Sequence, residues 1–387
     1  MSRKIFLFCL SIFLLSILFS CDLEKNECNN RNLTVVWERK LSSGSEALDL
    51  ENKTLYFENL DDDNLGIGAL NLDNGEILWI SEKLGHNCGP ICDDSNVYVK
   101  SVINEERMIT CLDKITGKVK KQNKISGAST RMYGWTLYND TLYWGGGDRH
   151  FVHAYNTQDD ADSYKVWGSE DVTADIMGDI VPYNGRLYFV AEVYPYIDDP
   201  KPSRLISMLP DGSDVKELEI PVDFMGVDTN AIQIYEGKLY LNGTYFICLD
   251  PETFKIEWEL KRDEGFYSSY GFTIHEGKIY TATNINSCDS VFCIDAKKGK
   301  IIWQEKLDSS YGTIGYQPQV YRGYVYLPTQ SSLIVLNAKS GKYIGRDERL
   351  ETGALSLGKT ISYNDLLIVS APLINKMYAV KMDMHTR

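Results

Sequence analysis

Histidine is scarce in this chain, with 5 in 387 residues, and basic charge is in deficit: 40 Lys and Arg stand against 54 Asp and Glu, a formal charge of −14. The deficit argues against a nucleic-acid partner, whose phosphates call for clustered Lys and Arg. A solvated acidic surface is what such a balance gives. The few histidines offer little to a metal. His150 and His153 are three apart in a predicted strand, so their side chains fall on opposite faces. The nine cysteines show no metal-ligand spacing. Gly145-Gly146-Gly147 lacks the following Lys-Ser/Thr and the helix of a phosphate loop, and no Ser/His/Asp arrangement can be read from spacing. No metal and no cofactor are expected. An apolar run, interrupted only by Ser11 and Ser16, occurs at Ile5–Phe19, too short for a comfortable membrane span.

That run follows Arg3-Lys4 and ends in Leu18-Phe19-Ser20-Cys21. Charge followed by a short apolar core is the pattern of an export signal, and the ending resembles a bacterial lipobox. Residues 1–20 are therefore expected to be a lipoprotein signal peptide, with Cys21 as the lipid attachment. The alternative is an ordinary secretory signal with an incidental Cys. Residues 21–32 are polar and lack apolar periodicity, so they read as a flexible tether. The acidic residues just after Cys21 resemble the surface-export signals of some lipoproteins.

From residue 33 the chain repeats itself. The unit is clearest over 273–307, where His275-Glu276-Gly277 turns into Lys278-Ile279-Tyr280, and Asp295 to Gly299 turns Phe292-Cys293-Ile294 into Ile301-Ile302-Trp303. β-Branched and aromatic runs broken by Gly and Asp are the signature of antiparallel hairpins, and 25 Tyr favour strands. An apolar-aromatic pair after a polar turn recurs at Leu55-Tyr56, Val97-Tyr98, Leu142-Tyr143, Leu187-Tyr188, Leu239-Tyr240, Ile279-Tyr280 and Val325-Tyr326, and as Leu367-Ile368. The spacings are 42, 45, 45, 52, 40, 46 and 42. Eight copies at that period predict four-stranded propeller blades, the longest spacing being absorbed by a loop over 194–202. His275 holds a place filled elsewhere by Tyr183, Tyr235, Tyr321 or Tyr363, which makes it structural.

A second marker, an eleven-residue hairpin, runs Ala69…Gly75…Trp79, Cys111…Gly117…Lys121, Cys248…Phe254…Trp258, Cys293…Gly299…Trp303 and Val335…Gly341…Gly345. Its seventh position must tolerate positive φ, hence Gly. Phe254 departs from that rule and predicts a different turn there. The last unit supplies three strands only, while Val35–Leu41 parallels Ile301–Leu307. The N-terminal strand is thus expected to complete the last blade and close the ring, removing exposed edges. The predicted fold class is all-β: residues 33–387 as one eight-bladed β-propeller.

The Ala/Cys-x-Asp/Asn-x-x-x-Gly-Lys/Glu-x-x-Trp pattern, fullest at 69–79 and 293–303, resembles the pyrroloquinoline-quinone-like propeller repeats. A lipidated eight-bladed chain of this length is similar to the BamB-type lipoproteins. That resemblance implies a scaffold in outer-membrane barrel assembly, lipid-anchored to the outer membrane on either face, monomeric, with an envelope protein partner. The alternative for this chain is a surface-exposed glycan- or ligand-binding propeller beside a nutrient-uptake system; the remote alternative is a quinoprotein enzyme, since the same repeat also hosts enzymes. The enzymes use an adjacent Cys-Cys disulfide, a Trp platform and calcium; this sequence has no Cys-Cys dipeptide. Trp37, Trp79, Trp258 and Trp303 occupy the repeat's docking position, where the family packs an indole between blades.

Cys111, Cys248 and Cys293 share the repeat position of Ala69 and read as small core residues. Cys88 and Cys92 form a disulfide only if Gly89-Pro90 turns the chain; Cys288 lies five residues before Cys293. Asp61-Asp62-Asp63 reads as a solvated loop. A partner or glycan would meet the rim built by the connections into each innermost strand, where Arg131, Tyr133, Trp135, Tyr267, Tyr270, Tyr311, Tyr316 and Gln317 fall. Aromatics with Arg and Gln suit protein or sugar contact. The same residues would otherwise fill the taper of the central channel.

Overall fold

The computed structural model describes residues 33–382 apart from 42, 61–64, 126–133, 146–150, 160–161, 169–173, 177, 194–202, 221–231, 244, 262–270, 286–287, 309–316, 330–331, 348–359 and 372–374. Every regular element among the described residues is a strand, and the strands form eight antiparallel sheets. The molecule is an eight-bladed propeller. Blade 1 comprises β2 (Ser43–Asp49), β3 (Thr54–Asn59), β4 (Gly66–Asn71) and β5 (Ile77–Ile80). Blades 2 to 7 occupy 86–124, 135–168, 174–219, 232–261, 272–306 and 319–347 in turn.

Blade 8 takes its first three strands from 361–381 and its last from β1 (Val35–Arg39). β1 runs antiparallel to β33 (Lys376–Lys381), with Trp37 opposite Ala379 and Arg39 opposite Met377. Leu33 N–H adds a bond of 2.8 Å to Asp347 Oδ2 in blade 7. The ring is closed by its own N-terminus, as its sequence parallel with blade 6 predicts.

Local chemistry explains each blade. The first hairpin turns at Asn184-Gly185, Glu236-Gly237, Glu276-Gly277 and Arg322-Gly323 hold both residues at positive φ, 46–48° and then 69–80°. That is the turn whose twist matches paired strands. His275 ends a strand just before such a turn. Second strands are buried on both faces, so their centres read as apolar runs: β3 is buried throughout, with Leu55-Tyr56-Phe57 between Thr54 and Glu58-Asn59. Their alternate residues pack on different neighbours. Leu55 and Phe57 meet blade 8, while Tyr56 meets blade 2. Eight apolar clusters result among the described residues, one at each blade interface. First strands of neighbouring blades approach one another, which places them at the axis and the last strands outside.

One blade departs from the pattern. The innermost strand of blade 4 is split into β14 (Ala174–Asp175) and β15 (Val181–Tyr183), which pair with opposite ends of the same strand, Ala174 with Val193 and Val181 with Tyr188. Ile176 and Ile180, between the two pieces, are buried against Tyr143 and Val152 of blade 3.

The eleven-residue hairpin has a reason for glycine beyond φ. The indole N–H of Trp37 bonds to Leu72 O (2.9 Å), Trp79 to Lys114 O (3.2 Å), Trp258 to Ala296 O and Trp303 to Ala338 O (both 3.0 Å). Each acceptor belongs to the hairpin of the following blade. The indole then lies on that hairpin's glycine: a Cβ on Gly75, Gly117, Gly299 or Gly341 would come within 2.3–2.6 Å of the ring of Trp37, Trp79, Trp258 or Trp303 respectively.

Phe254 corrects an expectation. The turn there does not differ: Phe254 itself adopts φ 59°, and its N–H bonds to Asp250 O at 2.9 Å, as Gly117 bonds to Asp113 O at 2.8 Å. A non-glycine is tolerated because no indole docks on it. The preceding blade carries Lys216 opposite Ser207, where blade 6 carries Trp303 opposite Cys293. Lys216 Nζ reaches Glu252 O instead (3.2 Å), and the Phe254 ring packs 6.5 Å from that of Tyr188.

Cys92 and Cys293 are free thiols, so Cys92 is not bridged to Cys88; 86–92 runs as a strand with an irregularity between Cys88 and Ile91. Cys248 and Cys293 are buried, and burial pushes both thiols up to about 11, far from a reactive thiolate. Cys111 is half-buried.

Candidate functional site

Arg131, Tyr133, Tyr267, Tyr270, Tyr311 and Tyr316 lie outside the described residues, as do Asp61-Asp62-Asp63, Gly146-Gly147 and His150. Trp135 and Gln317 are described, and both stand where a connection enters an innermost strand. They belong to blades 3 and 7, four blades apart in an eight-membered ring.

The amide of Gln317 is used within the ring. Its Nε2 donates to Phe272 O (2.5 Å) and Thr273 Oγ1 (2.8 Å) of blade 6. Gln233 of blade 5 donates to the same Phe272 carbonyl (2.5 Å), and Thr273 Oγ1 donates to Pro318 O. Gln319 of blade 7 continues the belt to Thr360 O of blade 8 (3.2 Å). Side chains that look like binding groups in sequence are here stitching adjacent first strands together.

Trp135 (in β10, Trp135–Tyr138) does similar work and more. Its indole donates to Gly89 O of blade 2 at 3.0 Å. Lys100, fully buried in blade 2, sets its ammonium 4.8 Å from the Trp135 ring and 5.5 Å from that of Trp144. An ammonium over desolvated indole faces is held by the ring quadrupole. His153 stacks on Trp144 at 5.6 Å and 12°, and Phe151 meets His153 edge-on with Lys165 Nζ 3.5 Å above it. Sequence reasoning missed this cationic-aromatic seat between blades 2 and 3. Its one legible signal was Lys100 inside an otherwise apolar second strand.

The neighbouring interface, between blades 1 and 2, holds charge of both signs. Lys114 Nζ lies 2.9 Å from Asp49 Oδ2, both side chains buried. Burial acts to raise Asp49, but hydrogen bonds from Lys114 and Asn52 outweigh it and leave the carboxyl below its ordinary value. Glu58 is also buried, and burial, assisted by the Glu46 charge, pushes its carboxyl up to about 7. No group of three His, Cys, Asp or Glu among the described residues is arranged to hold a metal.

This geometry is that of a pyrroloquinoline-quinone-like repeat propeller. Residues 234–379 match the family model described as outer membrane protein assembly factor BamB. BamB from Moraxella catarrhalis has the same fold at 14% identity and a TM-score of 0.63, covering 92% of this chain and 99% of that one. The quinohemoprotein alcohol dehydrogenase of Comamonas testosteroni aligns at 11% identity and 0.67 over 92% of this chain and 77% of its own. Sqt1 of Saccharomyces cerevisiae aligns at 8% and 0.63, over 90% and 98%. Likeness at these identities establishes the fold. No curated protein matches the sequence.

The residues do not fit the quinone cofactor of the dehydrogenase repeat. Its adjacent Cys-Cys pair is missing from the sequence. The described cysteines sit singly in blade walls, and Trp37, Trp79, Trp258 and Trp303 are spent on blade docking.

Proposed function

We propose that this chain is a non-catalytic envelope lipoprotein, exported by residues 1–20, anchored through Cys21 to the outer membrane, and acting as a protein-binding scaffold in outer-membrane barrel assembly. The single observation that carries the reading is the match of 234–379 to the BamB assembly-factor family within a closed eight-bladed ring. The rim connections carrying Arg131, Tyr133, Tyr267, Tyr270, Tyr311 and Tyr316 form the contact face, because a rigid ring positions loops for recognition. The acidic surface suits a basic partner and keeps the free protein soluble.

The test is co-purification of the tagged full chain in mild detergent, with mass spectrometry of the eluate. Recovery of the barrel-insertion machinery supports the scaffold. Recovery of a transporter or glycan-handling protein instead moves the function to a surface binding module. A Cys21→Ala variant that still partitions with membranes contradicts the lipid anchor.

A further inference from the structure

Among the described residues the outer strands of the blades are free edges, and seven of the eight carry charge. Val35–Arg39 contains Glu38 and Arg39, Val119–Lys124 three lysines, Tyr164–Gly168 Lys165, and Lys216–Glu219 both signs. Ile256–Lys261, Ile301–Lys306 and Tyr343–Asp347 are charged as well. Charge on an edge is how natural sheets refuse further strands. β5 (Ile77-Leu78-Trp79-Ile80) alone has none. Trp79 is docked on blade 2, while Ile77, Leu78 and Ile80 are 42%, 48% and 43% exposed. Among the described residues β5 pairs with β4 only. Ser81 N–H bonds inward to Ile67 O, so alternation turns the backbone of Ile80 outward.

The ends of this strand are acidic. Glu76 and Glu82 are exposed and form no ion pair among the described residues. They stand six residues apart, roughly 20 Å along an extended chain. The nearby Arg39 guanidinium is committed to the carbonyls of Gly75 and Asn74, and Lys83 follows Glu82.

We propose that β5 is a strand-addition site, which takes an extended apolar segment of another protein flanked at both ends by Lys or Arg. Backbone pairing along the edge would give affinity, and the flanking carboxylates register and sign. A second copy of this chain fits worse, because antiparallel self-pairing brings Glu76 of one copy toward the Ser81-Glu82 end of the other, between molecules that each carry −14. The site rests on the protein-binding reading above but lies on the outer wall, away from the rim.

The probe is a fluorescein-labelled peptide of about ten residues, alternating Val and Thr between terminal lysines. Its anisotropy is followed on titration with the full chain. Saturable binding is expected, weakened about tenfold or more by Leu78→Lys, which charges the edge, and by Ile80→Pro, which removes an outward donor. Glu76→Lys with Glu82→Lys is expected to weaken the Lys-ended peptide and strengthen a Glu-ended one. Unchanged thermal midpoints show that these exposed substitutions leave the fold intact. No saturable binding, or equal binding to all variants, overturns the site, as does a dimer in sedimentation that Leu78→Lys dissolves. If the peptide fails while barrel-insertion proteins still co-purify, the edge site falls and the scaffold stands; if the peptide binds as expected and nothing co-purifies, the reverse holds.

Discussion

Four blade interfaces, 8/1, 1/2, 5/6 and 6/7, are closed by one device, an indole laid on a glycine with its N–H on a hairpin carbonyl. The other four lack that indole contact, and a tyrosine hydroxyl on the next hairpin's carbonyl is shared across both sets: Tyr188, Tyr240, Tyr280 and Tyr326 donate to Pro251, Ala296, Ala338 and Met382 at 4/5, 5/6, 6/7 and 7/8. Lys121 Nζ reaches Asp159 O at 2/3, where Lys100 also lies between indoles. Ile176 and Ile180 fill 3/4, Lys216 and Phe254 serve 4/5, and Tyr326 OH donates to Met382 O at 7/8. The repeat conserves spacing and strand order while the docking chemistry is interchangeable, provided donor, acceptor and volume change together. The Lys216–Phe254 pair shows the linkage: losing the indole freed the seventh hairpin position from glycine.

The comparison can be broken most forcefully at a docked interface. Trp303→Ala should cost about 3–5 kcal/mol in chemical denaturation, whereas Lys216→Ala at 4/5 should cost under about 1 kcal/mol. Near-equal losses would mean the indole is not special. Next comes the buried carboxylate at 1/2. Glu58 titrates near 7 in the fold against an ordinary 4.5, so the folded state holds its proton longer than the unfolded one, and stability falls as pH rises from about 4.5 through 7. Glu58→Gln should therefore gain up to about 3 kcal/mol at pH 8 and nothing at pH 4, checked by denaturation at both values.

Glycine separates two causes at smaller cost. Gly277→Ala meets nothing within 4 Å and suffers only its φ of 69°, about 1 kcal/mol. Gly299→Ala adds contact with Trp258 at 2.5 Å and should lose about 2–3 kcal/mol. Equal losses would make the indole contact irrelevant. Smallest is the swap at 4/5: Lys216→Trp with Phe254→Gly should beat the sum of the single changes by about 1 kcal/mol in a double-mutant cycle.

Much of the fold was legible because its determinants are local. Turn glycines, apolar-aromatic pairs and the Val35–Leu41 parallel gave blade count, strand order and closure. What escaped depends on residues far apart in sequence. Phe254 could be judged only with Lys216 in view, and the split strand at 174–183 follows from how Ile176 and Ile180 pack on blade 3. Gln317 looked available until Phe272 and Thr273 were brought beside it. Lys100, Trp135, Trp144 and His153 come from two blades, and no spacing rule joins them.

The proposed scaffold is tested most directly by photocrosslinking in cells, with a benzophenone amino acid at Tyr133 or Tyr270, two of the proposed contact residues, and at Tyr164, half exposed on the outer wall of blade 3. Adducts with the barrel-insertion machinery from Tyr133 and Tyr270, and none from Tyr164, are the expected result. Equal adducts from all three positions, or none from Tyr133 and Tyr270, would contradict it.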